Sequence, residues 1–227
     1  MMKIQNLCIR AGCLMAALML SSLSAPVSAQ EIARLYAPQA PAGSSYLRVL
    51  NPSAKAVSVE FAGKRDVLDP GRKVVTDYRV VDASLDVAIK VDGRALKRIK
   101  LKPGSFNTVV LTGADQPQII ADVTDDRDDL KAELRFYNAA RDCNGSLAIQ
   151  DGATVFDHVA NGDSRKRAIN PVQARLRGRC DAAGSSEPAL LPALKSGDHV
   201  SVFLLGDKAN PRLVTQVDAT EPYSGTR

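Results

Sequence analysis

The 227-residue sequence contains no Trp, and its 5 Phe and 5 Tyr leave aromatic residues at 4%. A stacking platform for sugars or bases therefore has little to be built from. Histidine is almost as scarce. A metal centre built on imidazoles would need both His158 and His199 together with acids, and their neighbours Asp157 and Asp198 would point to the opposite face of a strand. No metal ligands and no cofactor are expected. Long helical periodicity is missing, which argues against a doubly wound α/β enzyme, and no G-x-S-x-G, P-loop or dinucleotide fingerprint stands in a suitable context.

What is present is a packed composition, 45% hydrophobic and 24% charged. The first 29 residues read as a secretory signal peptide. Lys3 and Arg10 lie in a stretch without acids, Ala11 to Leu20 is apolar, and Val27-Ser28-Ala29 is a small-residue cleavage site. That apolar run is far shorter than the roughly 20 residues a spanning helix needs, and no later run approaches it, so no membrane span is expected. Cleavage after Ala29 predicts a periplasmic product. Removing Lys3 and Arg10 leaves 28 basic against 25 acidic residues, about +3, too small a surplus for a nucleic-acid track. Cys8 and Cys13 depart with the signal. The remaining pair, Cys143 and Cys180, is expected to close a structural disulfide in an oxidising compartment, because a redox site favours a C-x-x-C pair.

Short stretches such as 57–61, 85–91 and 96–101 follow or approximate the period of two that marks half-buried strands. Turn signals at Asp69-Pro70-Gly71, Asp92-Gly93 and Lys102-Pro103-Gly104 separate them, suggesting a sandwich or a barrel. The chain also resembles itself. Leu47-Arg48-Val49-Leu50-Asn51 returns as Leu134-Arg135-Phe136-Tyr137-Asn138, and the segment 101–113 returns as 194–206 in the same order. The expected architecture is all-β, with two tandem β-sandwich-like domains of similar plan. Their bounds are an extended N-terminal segment 30–45, a first domain 46–114, a polar linker 115–131, a second domain 132–220 carrying the disulfide, and a tail 221–227. A possible edge strand lies in the linker at Ile119-Ile120, ahead of the acidic run 125–129.

Gly162-Asp163-Ser164 matches the opening of the nucleophile block of SGNH-type ester hydrolases. The Asp-x-x-His that such a serine requires is absent, since Val155 and Ser196 stand three residues before the two histidines. A polar turn is the better reading. Basic residues form two clusters, one around Lys97 and Arg98, the other Arg175, Arg177 and Arg179, whose spacing puts three guanidinium groups on one face of a strand. Forked donors suit carboxylates, so these are the candidate contacts for a polyuronate such as alginate. A solvated strand face or a protein-partner surface is the alternative.

The opening of the mature chain, Leu35-Tyr36-Ala37-Pro38-Gln39-Ala40-Pro41-Ala42-Gly43-Ser44-Ser45-Tyr46-Leu47-Arg48-Val49-Leu50-Asn51, resembles the start of the AlgF family of alginate O-acetylation. The Leu-Lys-Pro-Gly segment at 101–104 and the β-rich second half are similar too. The resemblance implies a non-catalytic periplasmic adaptor for acetylation of mannuronate residues, working with periplasmic SGNH-like acetyltransferases and a membrane-bound acyl transporter. An acyl carrier or acetyltransferase with Ser164 as nucleophile is the other possibility. No catalytic residue is carried over from the family. Leu35, Tyr36, Pro38, Pro41 and Gly43, whose prolines favour an extended conformation, are the candidate partner contacts.

Overall fold

The computed structural model describes residues 40–122, 124, 128–181 and 183–223. Within them lie seventeen strands and, among the described residues, no helix. In the first half these are β1 (Ser44–Leu50), β2 (Val57–Phe61), β3 (Lys64–Leu68), β4 (Arg79–Asp82), β5 (Lys90–Val91), β6 (Arg94–Ala95), β7 (Phe106–Val110) and β8 (Gln118–Asp122). The second half holds β9 (Ala132–Asn138), β10 (Gly145–Ile149), β11 (Thr154–Val159), β12 (Ser164–Ile169), β13 (Arg175–Cys180), β14 (Gly184–Ser185), β15 (Ala189–Leu190), β16 (His199–Gly206) and β17 (Pro211–Val217). The edge strand expected at Ile119-Ile120 is β8, inside the segment read as linker.

The repetition seen in the sequence is a repetition of topology. One sheet runs β4-β1-β7-β8 and its counterpart β12-β9-β16-β17, each with a parallel central pair flanked by antiparallel edges. The second sheet of each half runs β3-β2-β5-β6 and β11-β10-β13-β14, with β15 added on β13. Register repeats as well. Tyr46 lies opposite Phe106 as Glu133 lies opposite His199, which is the alignment expected from the two repeated segments. Asn51 and Asn138, the last residues of the repeated motif, are both buried and do the same work. Each amide donates to two carbonyls, Lys55 and Leu68 in the first copy, Cys143 and Val159 in the second, and so closes the end of a strand.

Why four layers form follows from the period of two. In β1, Leu47 and Val49 enter the core of the first sandwich, while Arg48 and Leu50 face the other half. In β16, Val200, Val202 and Leu204 fill the core of the second sandwich, and Phe203 and Leu205 face the first. Strands covered on both sides must be nearly continuously apolar, as Val-Ser-Val-Phe-Leu-Leu at 200–205 is. A third core, including Leu50, Val75, Val110, Ile120, Tyr137, Phe203 and Leu205, therefore lies along the seam between the two inner sheets. Close packing asks for glycine at one point. A Cβ on Gly178 would stand 2.5 Å from Cδ1 of Leu204 and 3.0 Å from Cδ1 of Leu213, so a larger residue there would force both leucine side chains to shift.

Of the strand expected over 85–91 the structure keeps only Lys90–Val91, and the strand expected over 96–101 is not formed: β6 ends at Ala95 and only an isolated bridge at Ile99 follows. Asp92 and Gly93, at φ of 49° and 82°, make a tight hairpin joining β5 and β6. Beyond it Leu96 N–H donates to the Ile89 carbonyl, but the next bridge is Val87 to Ile99. One extra residue is thus inserted on the second arm, a bulge. The slip lets Leu96 and Ile99 both reach the core and turns Lys97 and Arg98 together to solvent.

Candidate functional site

The site with the greatest concentration of buried polar chemistry is the seam, and its parts come from the repeated strands. Arg48, on β1, is fully buried. Its Nε donates to Thr108 Oγ1 at 2.9 Å, Nη1 to Asp218 Oδ1 at 2.7 Å and Nη2 to Ser201 Oγ at 2.9 Å. Ser201 in turn donates to the second oxygen of Asp218 at 2.9 Å. The guanidinium carbon lies 4.4 Å from the ring centre of Tyr78 and 5.0 Å from those of Tyr137 and Phe203. Burial by itself works against the charged form, yet Tyr137, Tyr78, Asp218 and Asp122 hold Arg48 more firmly protonated than usual. Burial also pushes the Tyr78 and Tyr137 hydroxyls up, so both stay protonated and donate to Asp122, at 2.5 and 2.6 Å.

The counterpart of Arg48 in the second copy is Arg135, and Asp122 is the counterpart of Asp218. Arg135 Nη1 lies 3.4 Å from Asp122. Each half therefore supplies a cation to a carboxylate carried by the other half's sheet, the reciprocal pattern of a two-fold interface. The network joins residues up to 170 positions apart.

Where the seam meets solvent, a cavity of about 290 Å³ is bounded by Tyr78, Phe106, Glu133, Arg135, His199 and Asp218. A second cavity of about 240 Å³ shares Glu133 and His199 and adds Lys131, Lys166 and Arg167. Glu133 accepts from Arg135 Nη2 at 2.5 Å and lies 3.4 Å from His199 Nδ1 and 3.6 Å from Lys166. Burial acts to raise its pKa, but His199 and Arg135 outweigh that and bring it down to about 2. Such a carboxylate is a fixed negative charge near neutrality and a weak proton acceptor. The sign for stability follows. A pKa lowered from 4.5 favours the folded state fully above the unfolded value, and this contribution is lost as pH falls from about 4.5 towards 2. Glu133→Gln is expected to flatten the loss of stability over that acidic window, measured by urea titrations at stepped pH. A slope identical to that of the wild type would contradict the assignment.

Other sequence-selected residues are scattered. Arg175, Arg177 and Arg179 do share one face of β13, alternating with buried Leu176, Gly178 and Cys180. Lys97 and Arg98 lie beyond β6 in the other outer sheet, with both inner sheets in between, so the two basic clusters form no single track. Cys143 and Cys180 form the expected disulfide, with both residues buried. Pro41 and Gly43 are exposed in the turn that enters β1, while Leu35, Tyr36 and Pro38 lie outside the described residues.

Ser164 opens β12 opposite Tyr137, whereas His158 lies beside Asp157 and His199 beside Glu133. A second serine, not singled out in the sequence, has acidic company. Ser146 donates to Asp157 Oδ1 at 2.6 Å, and His158 Nε2 lies 3.4 Å from the other oxygen. The aspartate stands between hydroxyl and imidazole, so the histidine cannot take the serine proton as a triad base does. Arg48 and Arg135 were also missed. The available signal was an arginine at the same place in both copies of an otherwise apolar strand.

These features can be set beside known proteins. The family model described as alginate O-acetyl transferase AlgF matches residues 16–187. Alginate biosynthesis protein AlgF of Pseudomonas putida is 29% identical over 164 residues, covering 72% of this chain and 73% of that protein. The protein of the same name from Pseudomonas aeruginosa is 32% identical over 145 residues, covering 63% and 64%. Among solved structures, a family 26 carbohydrate-binding module from Eubacterium rectale Amy13K, in complex with maltoheptaose, covers 78% of this chain and 98% of its own at 13% identity. Its TM-score of 0.26 is too low to carry an argument. With three-quarters of its length inside the family model and a duplicated all-β fold behind the matching segments, this chain belongs to the AlgF family.

Proposed function

We propose that this chain serves alginate O-acetylation as a periplasmic adaptor, holding SGNH-like acetyltransferases, and a membrane-bound acyl transporter, in one assembly. Family membership supplies the pathway. The observation that carries the adaptor role is the seam. Two sandwiches joined through a buried reciprocal network form one compact unit whose outer sheets are separated by two inner ones. A unit with two separate outer faces suits the joining of partners better than the closing of a pocket around a substrate. The buried disulfide suits an oxidising compartment.

The test is co-elution of mature Gln30 to Arg227 with the acetyltransferases of its own system at moderate salt, together with the acetyl content of alginate made without the chain. A stable complex and loss of acetylation are expected. Clean separation with normal acetylation sinks the adaptor reading. The arginine face of β13 favours the second reading, a polyuronate-binding module. Salt-sensitive retention of oligomannuronate, lost when Arg175, Arg177 and Arg179 become Ala, would move the weight there.

A further inference from the structure

A cleft of about 570 Å³ lies away from the seam. It follows the edge of β4 and is bounded by the turn at Pro41 to Gly43, by the loop carrying Leu85 and Asp86, and by the C-terminal segment Glu221, Pro222 and Tyr223. The alternation of hydrogen bonds decides which way the backbone of β4 points. Ala83 N–H donates to the Gly43 carbonyl, so residues 79, 81 and 83 pair with β1. Tyr78, Val80 and Asp82 present their main-chain groups to the other side. At Tyr78 those groups are used. The segment leading to Glu221 runs parallel there, Tyr78 N–H donating to Ala219 and Glu221 N–H to Tyr78, at 2.9 and 2.8 Å. The ladder then stops, and at Val80 and Asp82 the outward main-chain groups meet no backbone partner among the described residues.

Comparison of the two copies shows that this edge is not guarded like its counterpart. β12 occupies the equivalent place in the second half and carries Arg165, Lys166 and Arg167, the charges that keep an edge from pairing. On β4 the one cation, Arg79, is turned inward to Asp66 and Glu221. Lys64 is engaged by the same Glu221, so the basic groups at that end of the cleft are already paired. At the other end stand exposed Asp82 and Asp86, without an ion pair among the described residues, beside Leu85, which is 64% exposed.

We infer that the β4 edge is the docking site for an extended segment of an acetyltransferase partner, which adds a strand at Val80 and Asp82. This rests on the adaptor reading and names its surface. The occupant pairs with the outward main-chain groups of Val80 and Asp82, beyond the point where Ala219 and Glu221 end their bonds to Tyr78. It lays an apolar side chain on Leu85 and brings a lysine or arginine to Asp82 and Asp86. Main-chain bonds give affinity in this mode and the side-chain contacts give choice of partner.

The experiment is amide hydrogen exchange of the mature chain, alone and with the acetyltransferase of its own system. Protection of the Val80 and Asp82 amides should rise about ten-fold in the complex. Leu85→Lys, a surface change with little effect on folding, should weaken the dissociation constant about ten-fold. Val80→Pro, which deletes only an outward-pointing N–H, should do at least as much. A complex that forms while exchange over 79–88 is unchanged, or that tolerates Leu85→Lys, overturns the docking site and leaves the adaptor role standing. Failure to form any complex overturns both.

Discussion

Arg48→Met is expected to lower the unfolding free energy by about 3–5 kcal/mol, the usual cost of removing one partner from a buried ion pair. The side chain has no exposure to soften the loss, and the remaining Asp218 is only 12% exposed. Thr108, Ser201 and Asp218 would all lose a donor, and three aromatic rings would lose the cation packed on them. Urea titration of the mature chain measures this as a lower midpoint. A double change, Arg48→Met with Asp218→Leu, should recover a large part of the loss, because no charge is then left buried alone. If the single variant unfolds at the wild-type midpoint, the seam is held by its apolar core and the network contributes no net stability. Arg135→Met tests the twin position. Its loss should be smaller, since the Arg135 side chain is slightly exposed and its contact to Asp122 is longer.

Loss of the disulfide should have an effect of similar size. Cys143 and Cys180 are separated by 37 positions, and the chain-entropy account of cross-linking gives about 4 kcal/mol for such a loop. The bridge ties β10 and β13 together next to the least regular pairing of the second half, where the register between β10 and β11 shifts twice. Cys143→Ala with Cys180→Ala should therefore lower the urea midpoint, and the amides of β10 and β11 should lose more protection than those of β1 and β2. Equal loss across both halves would show that they unfold together. Because the Cys143 and Cys180 residues are 5% and 0% exposed, reduction of the native protein should be slow and should accelerate with urea. Rapid reduction without denaturant would contradict this burial.

How much was legible in the sequence differs from element to element. β2 was readable to the residue, because Val57, Val59 and Phe61 alternate without interruption. The segments at 85–101 misled. Period-two reading assumes an unbroken ladder, and the bulge between Leu96 and Ile99 breaks it without any marker in residue type. The repeated motif predicted two halves of similar plan but not their strand order, and the structure shows that the two copies also share a register, β1 on β7 and β9 on β16. The basic face of β13 was also readable, since alternation within one strand needs no knowledge of what lies above it.

Alone, then, the sequence determined an all-β chain, its duplication, its disulfide and its family. The first three are set by local period, by internal similarity and by the count of cysteines, and the family by the likeness of the segment 35–51 to the opening of its members. Tertiary structure decided that the inner sheets face each other, that Arg48 and Arg135 reach across to carboxylates of the opposite half, and that β4 keeps an open edge while β12 is guarded. Alternation states which residues share a face of a strand. It does not state what covers that face, and the difference between a solvated arginine and one buried between two sheets lies entirely in that covering layer.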